Sequence, residues 1–75
     1  MTPINKLNHN QKLSLLGKTI HMKASCEFFP NFDITGKLIS WHIANNGEFV
    51  YTCKISSNKT IQIGTNMKGL VYEIL

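Results

Sequence analysis

A cluster of phenylalanines in the first half of the chain has the composition of a binding surface. Phe28, Phe29 and Phe32 fall within the segment EFFPNFD, residues 27–33, which we call the Phe-rich loop, and Lys23 and Lys37 lie on either side of it. Aromatic rings stack on nucleobases and lysine ammonium groups attract phosphate, so these five residues form the candidate binding surface. Alternatively, the phenylalanines fold under the loop and close the core. We expect this of at least one of them, because exposing all three would favour aggregation.

Residues that commonly bind metals or catalyse reactions form no recognisable constellation. The three histidines and two cysteines lack the close pair spacings of zinc sites, and no serine or cysteine lies in a nucleophile elbow. His21 and His42 fall on predicted strands and could approach each other, but a lone strand histidine is more often a surface or core residue. Glu27 and Asp33 flank the Phe-rich loop, where carboxylates commonly only solvate a loop. The residues alone therefore predict no metal, no cofactor and no catalytic residue.

The two cysteines, Cys26 and Cys53, leave two alternatives open. They could form one disulfide, or they could be two reduced thiols in the core. The N-terminus has no apolar segment of the kind that directs secretion, and no run of about 18 apolar residues occurs in the chain. We therefore expect a cytoplasmic protein without a membrane span, in which reduced thiols are favoured.

The charge of the chain permits nucleic-acid binding and argues against sequence-specific recognition. Eight lysines and four acidic residues give a net charge of +4, and the chain contains no arginine. Arginine makes most of the bidentate contacts that read guanine, whereas lysine attracts phosphate as a point charge. A lysine-rich surface that simply interacts with solvent is an equally good explanation of the same composition.

Length and composition predict one small folded domain. The chain has 75 residues, of which 43% are hydrophobic and 16% charged, so it can form a core but has little stability in reserve. Domains of this size often gain stability by self-association, and a homo-oligomer is therefore one expectation. Residues 1–10 contain three asparagines and no apolar period, which predicts a flexible arm in front of a single domain at 11–75.

The apolar pattern predicts five strands after a short helical turn. The turn covers Lys12 to Leu16, with Asn10 as its cap, and a strand then begins near Gly17 in which Ile20, Met22, Ala24 and Cys26 point inward. The four later strands cover about 35–44, 48–55, 59–63 and 70–75. Phe49, Tyr51, Cys53 and Ile55 are in phase on the strand at 48–55, and Ile61 and Ile63 point inward on the strand at 59–63.

The second strand carries apolar residues on both faces, which predicts a long and bent central strand. Ile39, Trp41 and Ile43 lie on one face of the simple alternation. Trp41 is included in the candidate binding surface. Asn45-Asn46-Gly47 then predicts a tight hairpin of type I′. Five short strands joined in this order are typical of an SH3-like small barrel, and we predict an all-β fold of that kind.

The segment from Gly36 to the C-terminus resembles the small trimethoprim-resistant type II dihydrofolate reductases, which are SH3-like barrels. Gly36 and Trp41 match the family's glycine-to-tryptophan spacing, and Ile61-Gln62-Ile63 matches a Val-Gln-Ile-Tyr segment whose tyrosine is replaced here by Gly64. In that family four chains surround one pore. The resemblance implies a homotetrameric oxidoreductase that uses NADPH, with Gln62 and Ile63 at the pore and the active-site lysine near Met22 or Lys23.

A second resemblance is to Sm-like RNA-binding barrels. A short helix precedes LGKTIHM, and the last turn joins two strands in IQIGTNMKGLVYEI. That family carries an arginine before a glycine and asparagine, where this chain has Ile63 before Gly64. This resemblance supports the small-barrel class more than it supports RNA binding.

Three functions follow as hypotheses. The first is a non-catalytic module that binds nucleic acid or a protein partner through a lysine-bearing face and the Phe-rich loop. The second is the reductase-like tetramer. The third is a protein-protein adaptor of a bacteriophage or another mobile element.

Overall fold

A computed structural model describes residues 1–24 and 31–75 of the chain. Predictions that concern Cys26, Glu27, Phe28 and Phe29 fall outside these residues and stay predictions.

The described residues form six strands and two short helices. The helical part consists of a 3₁₀ helix at Ile4–Lys6 and the α-helix α1 at His9–Ser14. The strands are β1 (Thr2–Pro3), β2 (Thr19–Ala24), β3 (Phe32–Ile43), β4 (Phe49–Ser56), β5 (Lys59–Gly64) and β6 (Val71–Ile74).

All six strands belong to one antiparallel sheet with the order β1-β6-β2-β3-β4-β5. The all-β prediction is confirmed. The sheet has six strands instead of five, because Thr2–Pro3 pairs with Val71 and Tyr72 of β6. Within the described residues the sheet is open, with β1 and β5 at its two ends.

The core lies on one face of the sheet, which we call the inner face. Its fully buried side chains include Ile20 and Met22 on β2, Tyr51 and Cys53 on β4, and Ile63 on β5. These residues follow the period of two that places alternate side chains on one face of a strand. The alternation therefore predicts the inward residues of β2, β4 and β5 correctly.

A β-bulge in β3 changes which of its residues face the core. Leu38 pairs with Cys53 and Ser40 pairs with Thr52, so Ile39 is an extra residue on β3. Beyond the bulge, Trp41 pairs with Tyr51 and therefore shares the inner face with Leu38. Simple alternation, which predicts opposite faces for Leu38 and Trp41, is wrong here because it ignores the inserted residue.

The hairpin between β3 and β4 is tight, but it is not the predicted type I′ turn. That turn requires a positive φ at both central residues, and among the described residues only glycines have positive φ. Gly47 has φ +86°, and its N–H donates to the carbonyl of Ala44 at 2.9 Å. A three-residue loop with glycine in the left-handed position accounts for both observations.

Helix α1 begins earlier than predicted. Asn8 is its N-cap, because the Asn8 side chain accepts from the Gln11 backbone N–H and the Gln11 side chain accepts from the Asn8 N–H. This reciprocal pair satisfies two free backbone donors, which Asn10 in the first turn does not do. Leu15 is buried and Leu13 and Leu16 pack against the core, so the helix covers one end of the inner face.

Residues 1–10, predicted as a flexible arm, are packed against the domain in the structure. Ile4 is fully buried, and its N–H donates to the carbonyl of Leu70 at 3.0 Å. The polar residues around Ile4 hide a single core residue from any periodicity analysis, because one apolar side chain has no period.

We expect Ile4→Ala to lower the free energy of unfolding by roughly 2–5 kcal/mol, because it removes a fully buried side chain and leaves a cavity. The exposed neighbour Asn5 provides the control, and Asn5→Ala should change stability by less than about 0.5 kcal/mol. Urea unfolding followed by circular dichroism measures both variants. Equal stabilities of the two variants would show that the segment contributes no packing.

Candidate nucleic-acid interface

The outer face of the sheet, opposite the core, carries a row of four exposed polar side chains. Cross-strand pairing aligns Thr19 with Lys37, Lys37 with Lys54, and Lys54 with Thr60, across β2, β3, β4 and β5. All four residues are exposed. We call them the basic row. Two lysines directly opposite each other repel, so this arrangement costs folding energy unless an anion lies over it.

No lysine of the described chain is neutralised by a described carboxylate within 4.0 Å. The acidic side chains have other partners: Asp33 and Glu73 contact His21, and the Glu48 carboxylate accepts from the Asn66 backbone N–H at 2.9 Å. The positive charge of the basic row is therefore available to a ligand.

His21 lies between two carboxylates on the same outer face. Its Nδ1 is 3.0 Å from Glu73 of β6, and its Nε2 is 2.6 Å from Asp33 of β3. When both ring nitrogens are protonated, the imidazolium donates to both acids and ties three strands together. The hydrogen bond to Glu73 and then that to Asp33 raise the pKa of His21 above its ordinary value of 6.5.

The raised pKa of His21 predicts that stability falls as the pH increases. The charged form of His21 gains its partners only on folding. Its contribution to stability is therefore fully present below pH 6.5 and is lost as the pH rises through the raised pKa. Urea unfolding of the wild type and of His21→Gln at about pH 5.5 and about pH 8.5 tests this. The free energy of unfolding of the wild type should exceed that of the variant by more at the lower pH. The other histidines are the same in both proteins, so an equal difference at the two pH values would contradict the prediction.

The predicted approach of His21 and His42 does not occur. His21 pairs with Thr35 near the start of β3, whereas His42 pairs with Val50 beyond the bulge. The two histidines are therefore separated along the length of β3. Nothing local in the sequence indicates Glu73 as the second partner, since it is 52 positions from His21.

A second chemical feature is an aromatic cluster at the far end of β3. The Trp41 and Phe49 rings stack with centroids 5.0 Å apart and planes 6° apart, and His9 of α1 meets both rings edge-on. Phe49 also contacts Tyr51 edge-on, and the Lys12 ammonium lies 5.6 Å from the centre of the Phe49 ring. Phe49 is buried, whereas Trp41 is 38% exposed.

The hydroxyl of Tyr51 holds α1 over this cluster. It donates to the backbone carbonyl of Lys12 at 2.6 Å, from a side chain that is fully buried. Burial raises the pKa of Tyr51, so the phenol stays a donor throughout the physiological pH range. The helix carries His9 and Lys12, and this bond therefore fixes where both side chains stand.

We expect Tyr51→Phe to lower the free energy of unfolding by about 1 kcal/mol, the net value of one hydrogen bond. Tyr72→Phe is the matched control, because within residues 1–24 and 31–75 the Tyr72 hydroxyl makes no hydrogen bond. Denaturant titration monitored by Trp41 fluorescence measures both. If Tyr72→Phe lowered the free energy of unfolding as much as Tyr51→Phe does, the hydrogen bond to Lys12 would not be the cause of the loss of stability.

The structure separates the predicted binding residues. Lys23 and Phe32 line a cleft of about 460 Å³ together with Asp33 and Val71. Lys37 belongs to the basic row, and Trp41 lies beyond the bulge on the inner face.

Of the residues that the reductase resemblance implies, Gln62 and Ile63 lie on the edge strand β5, whereas Lys23 lies on β2. Gln62 is exposed, and Ile63 is buried in the core. At Gly64 an added Cβ would meet the carboxylate of Glu48, which would have to move. The reductase function, with its NADPH cofactor and the role of Lys23, stays a prediction.

Three further observations concern metals, thiols and membranes. In the described part of the chain, no group of three or more histidine, cysteine, aspartate or glutamate side chains could hold a metal ion. Cys53 is a free, buried thiol, and burial raises its pKa. Neither described helix has the length and apolar character needed to span a bilayer.

Sequence reasoning missed Lys54, His9, Lys12 and Phe49 as parts of a candidate surface. A cross-strand match of Lys37 with Lys54 could have been found by aligning β3 and β4 outward from the Asn-Gly hairpin, if the bulge were known. The chain matches no family model, no curated protein and no solved structure. Its function is therefore argued from these surfaces.

Proposed function

We propose that this protein is a non-catalytic module that binds nucleic acid through the sugar-phosphate backbone. The observation that carries the proposal is the basic row, in which Lys37 and Lys54 are directly opposite each other on an exposed sheet face. A polyanion over the row replaces repulsion with attraction and releases its own counterions, which is the main source of affinity in such complexes.

The two ends of the basic row suit a phosphate ligand as well. Thr19 and Thr60 continue the row on either side of the lysines, and their hydroxyls can donate to phosphate oxygens. The next row along the sheet, Ser40, Thr52 and Gln62, supplies further polar groups. Phosphate contacts of this kind position a nucleic acid and carry no sequence information, in agreement with the absence of arginine.

We infer further that the sheet belongs to the SH3-like class of small barrels. The supporting feature is that β2 lies between β6 and β3, with β4 and β5 following in chain order, behind a short N-terminal helix. A bulged twelve-residue β3 at the centre provides the curvature that such a fold needs. A protein-protein adaptor would use the same fold, but an unneutralised lysine pair favours a polyanion.

The test is a salt titration of binding with a labelled single-stranded and a labelled double-stranded DNA of mixed sequence, followed by fluorescence anisotropy. We expect binding at low salt that weakens steeply as salt is added. For the single strand, the double variant Lys37→Gln/Lys54→Gln should reduce the slope of log K against log salt by about 1.4, the value for two lost phosphate contacts.

The matched control is Lys6→Gln/Lys68→Gln, which removes the same charge from two exposed lysines outside the row. Its slope should stay close to that of the wild type. The row variant should remain folded, because removing a like-charge pair does not destabilise the sheet. Absence of binding at low salt, or equal slopes for the two variants, would refute the proposal.

A further inference from the structure

We propose that Trp41 is a stacking site for an unpaired nucleobase, so that the preferred ligand is single-stranded. This inference rests on the proposed nucleic-acid binding and names the class of ligand. It uses the aromatic cluster on the inner face, which the basic row does not include.

Trp41 is exposed in a way that suits a stacking platform. One face of the indole is covered by Phe49, whose ring lies parallel at 5.0 Å, and one edge meets His9 at 5.3 Å. The exposed 38% of the side chain is therefore on the side away from the core. A base placed there would extend the stack of Trp41 on Phe49, an arrangement that tolerates any base because each has a π-face.

The platform is held in place before any ligand binds. The bulge at Ile39 turns Trp41 to the inner face, although simple alternation from Leu38 would send it to the outer face. The Tyr51 hydroxyl fixes α1, which supplies His9 to the indole edge. Because the ring is already ordered by these neighbours, stacking costs little side-chain entropy.

The charge around Trp41 also favours a nucleic acid over an apolar partner. The Lys12 ammonium lies beside Phe49, the ring beneath Trp41, and no described carboxylate forms an ion pair with Lys12 or His9. A strand that stacks a base on Trp41 can therefore place a phosphate near Lys12.

A single-stranded ligand follows from the geometry of stacking. In a duplex each base is already stacked and paired, and removing it from the helix costs a few kcal/mol. An unpaired base has no such cost. The basic row should bind both forms through their phosphates, whereas Trp41 should add affinity for the single strand alone.

Trp41 is the only tryptophan, so its intrinsic fluorescence reports on this site directly. We expect a single-stranded oligothymidylate to quench the emission with the same dissociation constant that anisotropy gives. The same anisotropy experiment with Trp41→Ala should show roughly 5- to 150-fold weaker binding of the single strand, with little change for duplex DNA and in the salt slope. Trp41→Phe, which keeps an aromatic ring, should lose less affinity for the single strand than Trp41→Ala does.

Ile43→Ala is the matched control, because Ile43 is an exposed apolar residue on the same strand and face. It should reduce single-strand affinity less than Trp41→Ala does, and circular dichroism should show all variants folded.

The outcomes separate the two proposals. If neither DNA form binds, nucleic-acid binding itself is refuted. If DNA binds with the expected salt slope but Trp41 emission is unchanged, or Trp41→Ala weakens both forms equally, only the stacking site is refuted. If the wavelength of the Trp41 emission maximum changes with protein concentration in the absence of DNA, and sedimentation shows a dimer, the surface around Trp41 binds a second copy of the chain. That result would also refute the stacking site.

Discussion

The single inserted residue in β3 is the constraint on which the rest of the structure depends. With Ile39 as the extra residue, Leu38 and Trp41 share one face although they are three positions apart. Leu38 completes the core, and Trp41 continues the same face, where His9 of α1 meets its ring edge-on. Without this shift, a tryptophan and an isoleucine would move to the polar outer face and Ser40 would face the core. The bulge thus allows one strand to contribute Leu38 to the core along one half and to present the partly exposed Trp41 along the other.

The distribution of charge has an equally simple cause. Three described acids are engaged: two contact His21, and Glu48 accepts from the Asn66 backbone and fills the space above Gly64. The lysines remain without carboxylate partners in the described chain, and register places two of them side by side. The described acids therefore take part in contacts within the fold, whereas Lys37 and Lys54 are exposed. This division, more than the net charge, supports the proposed polyanionic ligand.

The candidate site was only partly accessible from sequence. Residue type alone predicts that lysines and aromatic residues form the site, and that prediction includes Lys37 and Trp41. It does not include their partners Lys54 and Phe49, because a cross-strand neighbour depends on register and a single bulge changes it. The N-terminal segment was missed for a related reason: Ile4 is one apolar residue among polar ones, and only its contact with Leu70 shows that it belongs to the core.

The sequence by itself determined the all-β class and the inward residues of three strands, because side chains on a strand alternate with a period of two that can be counted directly. Ile20 and Met22 on β2 and Ile63 on β5 follow from that count. The tertiary structure alone decided the face of Trp41, the pairing of Lys37 with Lys54 and the second partner of His21. Each of these depends on residues that are distant along the chain and meet only through strand pairing, and local pattern holds no information on such pairs.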